Sequence, residues 1–195
     1  MSAFVFDLDG VVCRNGYFTE PLERVHGIAR SRWGEFFSST MLSCIVGKAD
    51  LKEELVRLLP QLGWRGSVEA LLSFWFETEA AVCVEVLGIV ADLRSRGFSC
   101  SLGTNQERYR TAYLSQVMGL QHSFDQIFSS SELGVAKPSV EFFAKIQKRI
   151  GTTNICLVDD SAANVLAAEK FGWRTVHYRG PQDLGMILKV AEQFL

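Results

Sequence analysis

Short apolar runs recur along this chain, and several of them end directly in a polar or acidic turn. The clearest are residues 4–6 before Asp7, residues 98–102 before Gly103-Thr104-Asn105, and residues 155–158 before Asp159-Asp160. Two further runs of strand length lie at residues 126–128 and 175–178. Near-continuous apolar runs of this length are typical of parallel strands that are buried on both faces. The pattern therefore predicts a buried parallel sheet.

Helical patterns separate most of these predicted strands. They cover residues 106–118, 139–150 and 162–171, and a glycine follows each one, at Gly119, Gly151 and Gly172. A glycine just past the last helical residue is a common helix stop signal. Alternating strands and helices favour a doubly wound, Rossmann-like parallel sheet, so we predict an α/β fold.

One segment interrupts the alternation. Between about residues 19 and 80 the sequence predicts helices at 20–30, 32–44, 50–59 and 68–79, with Asp50 as an N-cap and Pro60 and Gly63 at the exit of the third helix. We therefore predict two domains, an α/β core of residues 1–15 and 84–195 and a small helical cap of residues 16–83. The aromatic residues of this insert are expected to form mainly its own core.

Composition limits the classes of partner and compartment. The formal net charge is -2 and no basic run is present, which disfavours nucleic acid and membrane surfaces as partners. No apolar run approaches the roughly 20 residues that a membrane helix needs. The five cysteines are odd in number and form no CxxC pair, so buried free thiols in a reducing cytosol are expected. Without a recognisable leader, we predict a cytoplasmic protein, monomeric or homodimeric.

The first predicted strand is followed by two carboxylates, Asp7 and Asp9. Ligands of open α/β sheets bind beyond the carboxyl ends of the strands, so both residues lie where a site is expected. Carboxylates this close repel each other unless a cation or a proton lies between them. Taken alone, such a pair is most often two solvated turn residues.

Three other signals follow in order. Thr104 and Asn105 offer a hydroxyl and backbone N–H groups at a predicted helix start, which suits a phosphate oxygen but also an ordinary N-cap. Lys137 precedes Pro138 and by itself would be a surface lysine. Asp159-Asp160 would either cap the next helix or help to hold a hard cation such as Mg²⁺.

The four signals together resemble the haloacid dehalogenase superfamily of hydrolases. FDLDGVV is similar to the first motif of that family, Thr104 to the second, Lys137 in GVAKPSVEFF to the third, and VDDSAANVLAAEKFG to the fourth. The resemblance extends from Phe4 to about Tyr178. It is nearest to the subgroup with a helical cap after the first strand, which includes sugar-phosphate phosphatases and the N-terminal phosphatase domain of soluble epoxide hydrolases.

The resemblance implies a role for each matched residue. Asp7 would be the nucleophile and Asp9 the general acid and base, while Thr104, Asn105 and Lys137 would bind the phosphoryl group. Mg²⁺ would be held by Asp7, by Asp9 through its backbone carbonyl, and by Asp159 and Asp160, of which either could be the direct ligand.

The resulting hypothesis is a Mg²⁺-dependent phosphatase that hydrolyses a small phosphorylated metabolite, with sugar phosphates among the candidates, through an aspartyl-phosphate. A phosphomutase of the same superfamily shares all four motifs and stays an alternative. So does a non-catalytic interaction protein on the same fold. A dehalogenase is disfavoured, because those members carry Tyr in place of the second Asp and need no metal.

Overall fold

A computed structural model describes residues 2–14 and 16–194 of the chain. Within these residues the structure has a single sheet of five parallel strands in the order β3-β2-β1-β4-β5. The strands are β1 (Ala3–Phe6), β2 (Ser99–Thr104), β3 (Gln126–Ser129), β4 (Ile155–Asp159) and β5 (Arg174–His177). Because β1 lies at the centre and the later strands add on both sides of it, the predicted doubly wound parallel sheet is confirmed.

The helices divide into those that follow β1 and those that connect the other strands. Between β1 and β2 lie α1 (Thr19–His26), α2 (Met41–Ile45), α3 (Leu51–Leu62), α4 (Val68–Thr78) and α5 (Val84–Ser95), with a 3₁₀ turn at Arg30–Trp33 and a π-helical turn at Phe36–Thr40. After β2 come α6 (Arg108–Ala112), α7 (Leu120–Ser123), α8 (Ser130–Leu133), α9 (Val140–Ile150), α10 (Ala162–Phe171) and α11 (Leu184–Glu192), with a π-helical turn at Tyr113–Val117 and a 3₁₀ turn at Pro181–Asp183.

Helix ends differ from the predictions where local capping intervenes. Asp50 caps α3 as predicted, since its carboxylate accepts hydrogen bonds from the N–H groups of Lys52 and Glu53. The helix then continues through Pro60 to Leu62, so the predicted helix end at residue 59 was wrong, while Gly63, one of the two predicted exit residues, is the C-cap. Pro60 has no N–H to donate to the carbonyl of Val56, four residues earlier in the helix. Gly63 then ends the helix with a φ of 82°.

Buried side chains form three clusters. Alternate residues of the strands supply two of them, with Phe4 and Phe6 on one face of the sheet and Val5 and Leu157 on the other, as the period of two requires. The third cluster lies in the insert, around Phe18 and other residues up to Phe76. The domain boundaries themselves stay a prediction, and Asn15, at one of them, lies outside the described residues.

Two expectations from composition also have structural outcomes. All five cysteines are buried and free, as predicted. Burial raises the pKa of the Cys13 thiol, the one nearest in sequence to the first motif, to about 12, so it stays protonated and unreactive at neutral pH. None of the helices in the described ranges combines the length and the apolar character needed to span a bilayer.

Gly103 is required by the close packing of β1 against β2. A Cβ added there would lie 2.6 Å from Cγ1 of Val5 and 3.4 Å from Cδ1 of Ile146. We expect Gly103→Ala to lower the free energy of unfolding by about 1–3 kcal/mol, as overpacked core positions do. Urea denaturation measures this change. Gly88→Ala is the matched control, because Gly88 in α5 has open space around it and should gain up to about 1 kcal/mol from better helix propensity.

Candidate active site

The centre of the site is a buried lysine between two aspartates. The Nζ atom of Lys137 lies 2.8 Å from Oδ1 of Asp7 and 2.6 Å from Oδ2 of Asp159. Asp7 directly follows β1 and Asp159 ends β4, and these two strands are neighbours in the sheet. All three side chains are almost completely withdrawn from solvent. The group of three carries one more negative than positive charge, which a proton or a cation would balance.

Asn105 positions Lys137 through its backbone. The side-chain amide of Asn105 donates to the carbonyl of Lys137 at 3.0 Å, and its side-chain oxygen accepts from the N–H of Lys137 at 2.8 Å. Both polar ends of the side chain are therefore occupied. Of the groups of Asn105, only the backbone N–H would then be available for the predicted phosphate contact. The side chain instead fixes the loop that carries Lys137.

Three carboxylates meet at the same edge of the sheet. One carboxylate oxygen from each of Asp7, Asp159 and Asp160 lies within 4.8 Å of the others. Asp159 is held in place because Oδ1 accepts from the N–H of Ser161 at 2.9 Å and from the side-chain amide of Asn164 at 3.0 Å. Carboxylate oxygens in such a group are the ligands that Mg²⁺ prefers, so the described residues fit this ion.

Burial perturbs both partners of the central ion pair. Burial raises the pKa of Asp7 to about 7, with Lys137 opposing the rise and the charge of Asp159 adding to it. Burial alone would lower the pKa of Lys137, but the two aspartates together hold it above its ordinary value. The ammonium group is therefore charged at neutral pH, and the excess negative charge lies on the carboxylates.

Asp9 faces a different environment from Asp7. Its Oδ2 accepts a hydrogen bond from the side-chain amide of Gln106, and its Oδ1 lies 3.7 Å from Nη2 of Arg110. Desolvation raises the pKa of Asp9, and the Arg110 guanidinium opposes this rise. A carboxyl group held in this way is able both to give and to take a proton.

Thr104 ends β2 at the same edge of the sheet. The register pairs Phe6 with Leu102, so Thr104 lies two residues beyond that pair while Asp7 lies one residue beyond it on the adjacent strand. The threonine side chain is buried, with 1% of its surface exposed. All the predicted site residues are thus carried by neighbouring strand ends or by the loop that Asn105 fixes.

The structure adds three residues that the sequence patterns did not select. They are Gln106 and Arg110, which contact Asp9, and Glu79, whose carboxylate lies 3.7 Å from Nη1 of Arg110. Gln106 follows the end of β2 by two residues, and that position was an available signal. Arg110 falls within the predicted helix 106–118, but the helix begins only at Arg108 because the Glu107 carboxylate caps it. No sequence pattern marks Glu79.

A cavity of about 600 Å³ begins at Asp9 and extends into the insert. The residues on the core side are polar, among them Gln106 and Arg110, whereas the insert contributes mostly aromatic and aliphatic side chains. The cavity therefore offers a polar side and an apolar side to a molecule that reacts at Asp9.

Comparison with known proteins agrees with this geometry. The model of the haloacid dehalogenase-like hydrolase family matches residues 1–172. Sesquiterpene phosphatase astK of Aspergillus oryzae is 30% identical over 91 residues, which are 46% of this chain and 46% of that protein. Drimenol cyclase drtB of Aspergillus calidoustus is 40% identical over 63 residues, 31% of this chain and 12% of that protein. The chain thus matches less than half the length of either relative.

The same fold occurs in solved structures. The magnesium complex of the HAD family enzyme bt-2542 from Bacteroides thetaiotaomicron superposes with a TM-score of 0.81 at 18% identity, over 97% of this chain and 98% of that one. At this level of identity the likeness speaks for the fold alone. The family match covers most of the sequence, including all four motifs at the edge of the sheet, and the chain therefore belongs to the haloacid dehalogenase-like hydrolase family.

Proposed function

We propose that this protein is a Mg²⁺-dependent phosphatase that hydrolyses a small phosphate monoester, with Asp7 as the nucleophile. The observation that carries the proposal is the placement of Asp7 2.8 Å from the Lys137 ammonium and within 4.8 Å of two further carboxylates. The name of the sesquiterpene phosphatase relative and the magnesium complex of the structural neighbour support the same reaction class.

Asp7 and Asp9 would divide the reaction between them. An oxygen of Asp7 attacks phosphorus while the bond from phosphorus to the ester oxygen breaks, and Asp9 gives its proton to the departing alcohol. In the second half, Asp9 takes a proton from a water molecule, whose oxygen attacks phosphorus and releases Asp7 as a carboxylate. Phosphate leaves, and Asp9 is again protonated for the next cycle.

Other residues would orient the phosphoryl group. Lys137 and the hydroxyl of Thr104 supply donors at the edge of the sheet, and Asn105 fixes the loop of Lys137. Asp7, Asp159, Asp160 and the backbone carbonyl of Asp9 would hold the metal ion. When bound, Mg²⁺ supplies a Lewis acid that offsets negative charge on the phosphoryl oxygens.

Phosphate release from a broad set of phosphorylated compounds, with Mg²⁺ and with EDTA, tests the proposal. We expect release that requires Mg²⁺ and stops on chelation. Conversion of one sugar-phosphate isomer into another without net phosphate release would instead identify a phosphomutase. Absence of any turnover, together with no binding of vanadate in the presence of Mg²⁺, would favour a non-catalytic role.

Magnesium binding should also appear as thermal stabilisation. At about 100 times its dissociation constant, a ligand of the folded state adds about 2.7 kcal/mol, or a rise in Tm of roughly 5–10 °C for a chain of this size. Asp160→Asn should lose most of that rise, because it removes one of the three clustered carboxylates. Differential scanning fluorimetry measures the shift. Glu192→Gln, the same chemical change at an exposed position of α11, should retain the full rise.

A further inference from the structure

We infer that the substrate is the phosphate monoester of a bulky hydrocarbon alcohol, and that the hydrocarbon occupies the cavity beside Asp9. The inference rests on the proposed function and goes further by naming the class of leaving group. It departs from the expectation that sugar phosphates are among the candidate substrates.

The insert side of the cavity is mainly apolar and aromatic. Among the side chains that the insert supplies are Phe18, Trp33, Phe37, Met41, Trp75 and Phe76. The rings of Phe18 and Trp75 stack with centroids 4.3 Å apart, and Phe37 meets Trp75 edge-on at 5.8 Å. Mutually packed rings on this side present a mainly apolar surface to a ligand.

One helical face of the insert is directed at the cavity. Phe37, Met41 and Ile45 follow one another at intervals of four residues, and all three line the cavity while they are only partly buried. Side chains four residues apart lie on one face of a helix. Leu42, which directly follows Met41, is 53% exposed and does not line the cavity. The three partly buried side chains would be covered by a hydrocarbon placed in the cavity.

Several polar side chains around the cavity already have hydrogen-bond partners, whereas Nε of Arg110 is buried without one. Glu79 accepts from the N–H of Phe18 at 3.0 Å and from the indole of Trp75 at 2.8 Å. Glu107 accepts from two backbone N–H groups of α6, and both ends of Asn105 bind Lys137. The hydroxyl groups of a sugar could not pair with these occupied groups without displacing their partners, and buried hydroxyls left unpaired weaken binding. A hydrocarbon has no such requirement.

The position of Asp9 connects the cavity to the reaction. Asp9 lines the cavity, whereas none of the three clustered carboxylates does. The carbon chain of an ester whose oxygen lies at Asp9 would therefore occupy the cavity and not the carboxylate cluster. The volume of about 600 Å³ far exceeds what a phosphate group fills. It falls in the range of roughly 300–1,000 Å³ that is typical of sites for drug-sized molecules.

A chain-length series tests the inference. We would measure kcat/KM for ethyl, butyl, hexyl, octyl, decyl and farnesyl phosphate, with glucose 6-phosphate and p-nitrophenyl phosphate alongside. Each buried methylene should raise kcat/KM about fourfold until the cavity is full. If the esters are hydrolysed in an Asp7-dependent manner without any rise along the series, the proposed phosphatase function stands and the apolar assignment is overturned. If only glucose 6-phosphate or p-nitrophenyl phosphate is hydrolysed, the phosphatase function stands and the apolar assignment is overturned. If no compound of the set is hydrolysed, both are overturned.

A pair of variants locates the effect in the cavity. Met41→Gln keeps the length of the side chain but places an amide against the hydrocarbon, and it should lower kcat/KM for decyl and farnesyl phosphate about tenfold. For ethyl phosphate the change should stay below about twofold. Leu42→Gln, one residue away and outside the cavity, should change neither.

A binding measurement gives a readout that does not depend on turnover. Decanol, the product of decyl phosphate, should change the tryptophan fluorescence of the wild type, because Trp33 and Trp75 line the cavity. Met41→Gln should weaken that response, and circular dichroism should show that the variant is folded. An equal loss of activity on ethyl and decyl phosphate in Met41→Gln would contradict the inference.

Discussion

Asp7→Asn is expected to release phosphate at least about 10³-fold more slowly than the wild type, because an amide lacks the anionic oxygen that forms the bond to phosphorus. The loss should appear in kcat, with every substrate of the series affected. Steady-state phosphate release measures it, and acid-quenched mass spectrometry should detect a phosphorylated Asp7 peptide in the wild type only.

The fold should tolerate this substitution. An amide in place of the Asp7 carboxylate keeps the shape of the side chain and removes one of two buried negative charges that share the Lys137 ammonium. The Tm of the metal-free variant should therefore equal or exceed that of the wild type. Asp125→Asn removes a carboxylate elsewhere, on the loop before β3, and should retain activity. A fully active Asp7→Asn protein would refute the assignment of the nucleophile.

Lys137→Met is expected to have the largest effect on stability. It removes the one positive charge between Asp7 and Asp159, which lie 2.8 Å and 2.6 Å from the lysine nitrogen, and leaves two buried carboxylates without that partner. Removing one partner of a buried ion pair lowers the free energy of unfolding by about 3–5 kcal/mol. Urea denaturation without divalent cations measures the loss. The rate of phosphate release should also fall, because the Lys137 ammonium would no longer bind the phosphoryl oxygens.

The metal response separates this explanation from simple loss of packing. Mg²⁺ should restore part of the stability of Lys137→Met, because a cation among the carboxylates replaces the missing charge. Lys189→Met, at an exposed position on α11, should stay within about 0.5 kcal/mol of the wild type. A Lys137→Met protein as stable as the wild type without metal would show that the two carboxylates are not energetically dependent on the lysine.

The sheet and the site residues at its edge were predictable because one sequence pattern, an apolar run followed by polar residues, marks both the strand and the site. A buried parallel strand reads as an apolar run, and the first polar residues after it, such as Asp7 and Asp159, must lie at the carboxyl edge. The contacts around Asp9 that complete the site are not local in sequence. Glu79 reaches Arg110 from a distant part of the sequence, and no periodicity marks that pair.

The aromatic residues of the insert show a second limit. The sequence predicts them as its core, and Trp33 and Trp75 are indeed buried there, but the same residues also line the cavity. Burial against neighbouring side chains and burial against a cavity require the same apolar residue types. Only the three-dimensional packing shows which of these residues line the cavity. The same information is needed to choose between an apolar leaving group and a sugar.

Arg110 belongs to the helix after β2, yet the insert supplies much of what holds its guanidinium. The carbonyl of Glu79 accepts from Nη2 at 3.0 Å, and the carbonyl of Phe76 accepts from Nη1 at 3.5 Å. Because the same guanidinium lowers the proton affinity of Asp9, a displacement of α4 would alter acid strength and cavity dimensions together. If the proposed phosphatase function holds, engineering α4 toward bulkier alcohols should consequently move the pH dependence of phosphate release as well.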